Sequence, residues 1–564
     1  MNLIIAAQRW TLRAGVFLLP LVYSPFTYDS YVLPKLLFAR LLVLALLALW
    51  LARIAVTRNL VLKRTPLDVP LLLFLGSAAL SWVFAENRNV AWLGTYTRYD
   101  GVLTLLTYAA LFWFTVQSLA DRDEARALTR VLMASGYAVS AIAILQSLHD
   151  TANPAGHVLA SGGAFVPAYG TLGNPNVLGA FLALIITLAA GELSTAGSTF
   201  GRVLVANVLV VAAVAMLLTF SRSAWLGALV GVGLIVATRP NRKLALGFLL
   251  IPLGVVAVVA VAWHPALERA LTLLDPHLIA SERGGIWSDT LRLVATRPIL
   301  GYGPDNFGLV FPRFQTGDWG LAGSLRQPID KAHAELLQVA ATQGLVGLAT
   351  YLLLQLAFLR SLWRARRVDQ AVVVGAAWIA FQLVVQLNFS ALSAALPFWI
   401  FTAAAVTSFD AVRTRPIALD GRVASAPLVP GVALAAVIVL WGVTAPVLAD
   451  ARLRAAVDAD YAGHPEVAQQ LAAEARQLAP WESVYSVEVA NVAFEQNDWV
   501  AARHAYRAAA ELGTFNDLVY RNLALADLHL GLTAEARDAA QLAVEFNRFD
   551  PANQALLAEF TVKP

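Results

Sequence analysis

The chain has 564 residues, of which 59% are apolar and 14% charged, with a net charge of +4 and no cysteine; its mean hydropathy is +0.65. That balance excludes an ordinary soluble globular protein and a disulfide scaffold. The small basic excess sits in short loops between apolar runs, so it is a topology signal and not a nucleic-acid footprint.

In chain order, apolar runs fall near 11–26, 33–52, 66–84, 101–119, 131–149, 174–191, 203–219, 223–238, 244–262, 333–359, 371–388, 394–409 and 429–449. A helix of roughly 17 to 25 residues crosses a bilayer, which makes these about twelve to thirteen spans of an all-α, polytopic helical bundle. The first run is broken by Pro20 and Pro25 and has no small-residue cleavage site behind it, so it is read as a retained span. Alternate loops hold Arg9 and Arg13; Arg53, Arg58, Lys63 and Arg64; Arg122, Arg126 and Arg130; Arg239, Arg242 and Lys243; Arg360, Arg364, Arg366 and Arg367; and Arg413, Arg415 and Arg422. Basic loops stay cytoplasmic, so the N-terminus is expected inside, and the long polar loop 263–332 and everything after the last span outside. Residues 1–449 then form a transmembrane unit and residues 450–564 an extracytoplasmic tail.

The tail repeats every 34 positions. Ala468, Ala502 and Ala536 coincide, as do Ala475, Ala509 and Ala543, and then Leu478, Leu512 and Phe546. Small residues at fixed points let paired helices approach closely, and this period is that of tetratricopeptide helix pairs. About three such repeats are expected. They form a soluble α-helical unit that either docks a protein partner or caps the outer loops.

Candidate chemistry gathers at the expected outer ends of the spans. Arg222, in Ser221-Arg222-Ser223, is wedged between two apolar runs. A charge there costs about 2.5 to 3.5 kcal/mol at a helix centre and far less at the headgroups, so it is either a phosphate ligand or a boundary anchor. Arg283 precedes Gly284-Gly285 and the apolar stripe Ile286, Trp287, Thr290, Leu291, Leu293 and Val294. A helix starting there could offer its N-terminal amides to an anion alongside the guanidinium; the plainer reading is ordinary packing with a solvated Arg283. His333 opens a span two residues before Glu335 and is the one neutral-pH acid or base of the three central candidates, whereas His264 and His277 are read as structural. Arg98 and Asp100, between the aromatics of Gly94-Thr-Tyr-Thr-Arg-Tyr-Asp-Gly101, suit sugar hydroxyls or an interfacial anchor. Asn174 and Asn176 flank Pro175 and either touch substrate or stabilise a helix start. Gly301 and Gly303 are expected to shape the chain. The Asp-x-Asp pairs, Asp121-Arg-Asp123 and Asp458-Ala-Asp460, lie far along the chain from Arg283 and His333, and there is no P-loop.

Thr171-Leu-Gly-Asn-Pro-Asn176, Ser221-Arg222-Ser223, Arg283 with Trp287 and Gly301-Tyr-Gly303, and Lys331-Ala-His333 with Gly344-Leu-Val-Gly347 together resemble the O-antigen ligase and polymerase superfamily of bacterial envelope enzymes. The resemblance covers most of residues 90–410. It implies a GT-C-like membrane glycosyltransferase that moves a glycan from undecaprenyl diphosphate to a lipid, glycan or protein acceptor on the outer face of the cytoplasmic membrane. By the same resemblance no metal, cofactor or nucleotide sugar is involved, Arg222 and Arg283 clamp the diphosphate, and His333 assists transfer. The family commonly carries Asn after the histidine; this chain has Ala334. Expected function is therefore O-antigen ligase-like and inverting, with a polysaccharide polymerase or protein oligosaccharyltransferase as the alternative enzyme. A glycolipid flippase is the alternative outside enzymology; it would spread its charges through the membrane and over both faces. Arg98, Asp100, Asn174, Asn176, Trp287 and Glu335 complete the expected substrate-binding set.

Overall fold

The computed structural model places helices at every expected span except 244–262, but the first run, 11–26, is helical only as far as Leu18, and the last, 429–449, is divided between two helices. It describes residues 2–152, 166–195, 197–238, 254, 276–317, 329–409, 412–418 and 428–562; the run 244–262 and His264 lie outside them. The first nine helices are α1 (Asn2–Leu18), α2 (Val32–Thr57), α3 (Asp68–Val83), α4 (Arg88–Leu93), α5 (Val102–Ser118), α6 (Arg122–Ala152), α7 (Pro175–Thr195), α8 (Thr199–Leu218) and α9 (Arg222–Thr238). They are followed by α10 (Pro276–Thr296), α11 (Phe307–Val310), α12 (Glu335–Arg364), α13 (Asp369–Gln386), α14 (Leu392–Ser408) and α15 (Leu428–Gly442). Among the described residues six helices, α2, α6, α7, α8, α12 and α13, are long and apolar enough to cross a membrane, and α3, α5, α9 and α14 are shorter apolar helices. The chain is a multi-pass membrane protein.

Helix α7 is the axis of the bundle. It is apolar all round, and 83% of its most apolar window is buried, which places it inside a ring of other helices. Small residues bring that ring close. A Cβ on Gly179 would lie 2.6 Å from the Ala224 side chain of α9, and one on Gly227 would lie 2.5 Å from Val384 of α13. Without a hydrophobic drive between helices in lipid, such close backbone approach supplies the packing.

The two ends of the bundle differ. At one end Arg9 pairs with Glu124 at 2.6 Å, and Arg126 and Arg130 both reach Glu192, at 2.9 and 3.1 Å. The loops after α2 and after α14 also meet there, as an antiparallel ribbon of β1 (Asn59–Arg64) and β2 (Arg413–Ala418), with Leu62 opposite Arg415. The hydropathy pattern gave no warning of this ribbon. Its pairing nevertheless joins two of the basic loops that the charge pattern assigned to one side, so this end is the basic face.

At the opposite face α12 carries a break. Gly344 has φ 67°, and the segment Pro298–Gly303 lies in the resulting kink. The Tyr302 and Gly303 amides donate to Ala341 O and Thr342 O at 3.1 and 2.8 Å, and the Leu345 amide donates to Pro298 O at 2.7 Å. A Cβ on Gly344 would fall 2.2 Å from Ile299 O, and one on Gly301 would fall 2.6 Å from the Thr342 carbonyl carbon. These glycines are therefore required by backbone-to-backbone contact, as the turn-rich sequence suggested.

The tail is seven helices: α16 (Thr444–Tyr461), α17 (Pro465–Leu478), α18 (Ser483–Glu495), α19 (Trp499–Leu512), α20 (Asp517–His529), α21 (Thr533–Phe546) and α22 (Pro551–Val562). Helices α17, α19 and α21 begin at 465, 499 and 533, reproducing the 34-residue period, and Ala468, Ala475, Ala502, Ala509, Ala536 and Ala543 are fully buried between the pairs. The tail sits on the face opposite the basic one. Asp450 accepts from the Asp29 amide at 2.9 Å and from the Tyr96 hydroxyl at 2.6 Å; Asn89 donates to Trp481 O at 3.0 Å; Arg313 pairs with Glu545 at 2.5 Å.

Candidate active site

Three segments far apart in sequence are pinned together by one lysine. Lys331 is 3% exposed and donates to Asp100 Oδ2 at 2.7 Å and to Asp305 Oδ1 at 2.8 Å. The other oxygen of Asp305 accepts from the Thr95 amide and hydroxyl at 2.7 and 2.9 Å. Burial alone would lower the ammonium pKa, but Asp100 and Asp305 outweigh it and hold Lys331 above its ordinary range. The loop before α5, the turn before α11 and the entry to α12 thus form one rigid rim. Four of its residues have left-handed backbone: Thr97 (φ 68°), Tyr99 (φ 51°), Asp305 (φ 56°) and His333 (φ 51°). Such conformations persist where surrounding contacts over-determine them, and they concentrate at functional sites.

The corner between α13 and α14 closes the site. Leu387 O accepts from Arg283 Nη1 at 2.5 Å. Phe389 meets the His333 ring edge-on, with centroids 5.4 Å apart, and the Arg98 guanidinium lies 5.4 Å from the Phe389 centroid. Arg98 is in turn bonded to Asp330 at 2.5 Å. The Ser390 amide donates to Glu335 Oε2 at 3.0 Å. Arg283, His333, Arg98 and Glu335 therefore all meet residues 387–390. Burial first, and then the Arg283 guanidinium, push the His333 pKa below its ordinary 6.5; Asp330 and Asn388 pull the other way, and Arg98 adds the smallest push down. This shift favours the neutral imidazole, the form able to take a proton.

Beside this corner lies a cavity of about 320 Å³ whose lining includes Tyr28, Tyr31, Arg98, Asp100, Asn174 and Ser393. Arg98 and Asp100 thus reach the cavity, but as members of ion pairs. Asn174 also lines it while capping α7, its Oδ1 accepting from the Asn176 amide at 2.9 Å. Asn176 accepts from Ser221 Oγ at 2.9 Å, which ties the start of α7 to the start of α9, where Arg222 is the first residue. Trp287 follows Arg283 by one helical turn on α10, and its indole nitrogen is buried with no hydrogen-bond partner.

One expectation is corrected here. Helix α10 begins at Pro276, so Arg283, Gly284 and Gly285 are in its interior and their amides are spent within the helix. At Arg283 only the side chain is then available to a ligand. Part of the apolar stripe after it is ordinary packing: Ile286 and Leu293 are buried against Phe307, Val310 and Phe311, while Leu291 is exposed.

With this geometry in view, comparison with known proteins is informative for one stretch. Residues 207–352 match the O-antigen ligase family model. The matched stretch runs from α8 into α12 and contains Arg222, Arg283, Trp287, His333 and Glu335; Arg98, Asp100, Asn174, Asn176 and the 387–393 corner lie outside it. An O-antigen ligase match supports a membrane glycosyltransferase of ligase or polymerase type acting on a lipid-linked glycan. No curated protein matches the chain. Among solved structures, the crystal structure of the APC/C hetero-tetramer Cut9-Hcn1 is similar over 86% of this chain and 98% of that one, at 12% identity and a TM-score of 0.20. A score that low carries no argument.

Sequence reasoning missed Asp305, Asp330 and the Asn388–Ser393 corner, and quoted Lys331 only as part of a motif. The corner had a faint signal: Asn388-Phe-Ser390 is a polar break between two apolar runs, on the same expected side as His333.

Proposed function

We propose that the chain transfers a glycan from undecaprenyl diphosphate to an acceptor hydroxyl on the extracytoplasmic face of the cytoplasmic membrane, with inversion and without a metal. The observation that carries this reading is the convergence of Arg283, His333 and Arg98 on the corner at residues 387–390, beside a cavity that Arg98 and Phe389 line. The acceptor hydroxyl attacks the anomeric carbon from the cavity side and gives its proton to His333. The bond from that carbon to the diphosphate oxygen breaks, and its electron pair leaves with polyprenyl diphosphate. Arg283 and Arg222 balance the charge that develops on the phosphates, since fixed cations at a poorly hydrated surface stabilise it without reorganising solvent. A single displacement of this kind inverts the anomeric configuration.

Orientation follows from the basic face, which is taken as cytoplasmic; the site and the repeat helices then share the outer compartment. Helices α16–α22, seated on the rim, present the acceptor or a protein that carries it. Ligation in one step is the first reading, with polymerisation and transfer to protein as its alternatives; the family match accommodates ligase and polymerase types alike.

Proteoliposomes carrying a polyprenyl diphosphate glycan and a hydroxyl acceptor separate the readings. One polyprenyl diphosphate is expected per glycan transferred, in EDTA as in its absence. Movement of the intact lipid across the bilayer with no cleavage would show a flippase instead.

A further inference from the structure

Asn388 is 2% exposed, and neither its Oδ1 nor its Nδ2 has a hydrogen-bond partner in good geometry. A carboxamide is rarely left that way in a folded interior, because both ends lose water and gain nothing. Its side chain lies within hydrogen-bonding range of the His333 imidazole, whose ring the adjacent Phe389 meets edge-on. The other charged groups acting on that ring are known from each side: Arg283 from α10, Arg98 from the loop before α5, and Asp330 from the strand of chain that enters α12. Phe389 holds one ring edge, and the next residue along the chain, Ala334, has no polar atom to offer. Among the described groups that act on the ring, Asn388 is the neutral hydrogen-bonding side chain.

We propose that Asn388 is a positioning residue for His333: its Oδ1 accepts the imidazole N–H, which fixes one tautomer and leaves the other ring nitrogen bare to accept a proton. The inference rests on the reading of His333 as proton acceptor. A neutral partner suits that task, because a carboxylate in its place would hold the ring protonated, whereas an amide orients it and leaves its charge to the two arginines. The left-handed backbone at His333 aims the ring at the 387–393 corner, and Asn388 completes the aim.

The test uses the full-length protein in nanodiscs with ¹⁵N-labelled histidine, the His333 signals being assigned among the 8 histidines by their loss in His333→Asn. Wild type is expected to show a single neutral tautomer. In Asn388→Ala the two tautomers mix and the His333 titration midpoint falls; in Asn388→Asp, which keeps the side-chain shape, the midpoint rises by about one unit or more. In the transfer assay Asn388→Ala lowers kcat about 10- to 100-fold with KM nearly unchanged, the signature of an interaction that matters in the transition state and not in binding. Opposite midpoint shifts in the two variants are not produced by a merely structural side chain. An unchanged tautomer and midpoint in both variants overturns the proposal. Shifted signals with unimpaired turnover keep the positioning role and overturn His333 as the base.

Discussion

Replacing Arg283 with Ala is expected to lower glycan transfer about 10²- to 10³-fold, the loss typical when one preorganised donor to a developing oxyanion is removed. Arg283→Lys keeps the charge but not the planar fork, so partial recovery is expected, not full activity. The same change has a second, independent readout. The guanidinium is one of the groups that hold the His333 pKa down, so its removal moves the acidic limb of the pH–rate profile to higher pH. Arg283 also bonds Leu387 O, and a purely structural part for it predicts a different pattern: a lower melting temperature, no rescue by Lys, and an acidic limb that stays put. Turnover in proteoliposomes over pH 4.5 to 8, read beside thermal unfolding, decides between them.

Loss of His333 is expected to cost about 10² to 10⁴ in kcat, the span of positioned general bases. Its backbone needs care in choosing the variant. At φ 51° an alanine is strained, whereas Asn tolerates the left-handed region, so His333→Asn separates chemistry from folding. The sign of the pH dependence follows from the environment. The neutral imidazole is the working form, and burial with Arg283 keeps its pKa below the ordinary value; activity is therefore full near pH 7 and falls as pH drops through that lowered midpoint. Turnover that rises on acidification through the same window means the protonated ring is the active species, contrary to the role assigned.

The bundle was legible in the sequence because length and apolarity are local properties. Runs such as 174–191 and 203–219 announce themselves, and α7 and α8 occupy them. The tail was legible for a related reason: a 34-residue period with Ala468, Ala502 and Ala536 in register states both helix spacing and the point of closest approach. Arg222 stood out as a charge wedged between two apolar runs, where desolvation makes charge expensive, and His333 as a titratable side chain opening a span. What escaped is what long-range pairing decides. Lys331 finds Asp100 across 231 residues, and no window of sequence carries that information. The β1–β2 ribbon joins residues 59–64 to 413–418, each too short and too mixed to show strand alternation. Arg283 was placed at a helix start because Gly284-Gly285 resemble a break; the helix runs through them, since the cost of two interior glycines is about 1 kcal/mol each and packing of Ile286 and Leu293 offsets it. Asn174 read equally well as ligand or cap, and it is a cap that also faces the cavity.

Whether the cationic groups and His333 meet at one aqueous face outside the cytoplasm is read most directly by sided labelling, for which a chain without cysteine needs only single introduced thiols. Arg222→Cys, Ser288→Cys and Leu336→Cys mark the three elements of the site, and Trp363→Cys marks the basic face. A membrane-impermeant maleimide added to intact spheroplasts is expected to modify the first three and to reach position 363 only after permeabilisation. Labelling that divides positions 222, 288 and 336 between the two compartments would contradict a shared diphosphate site.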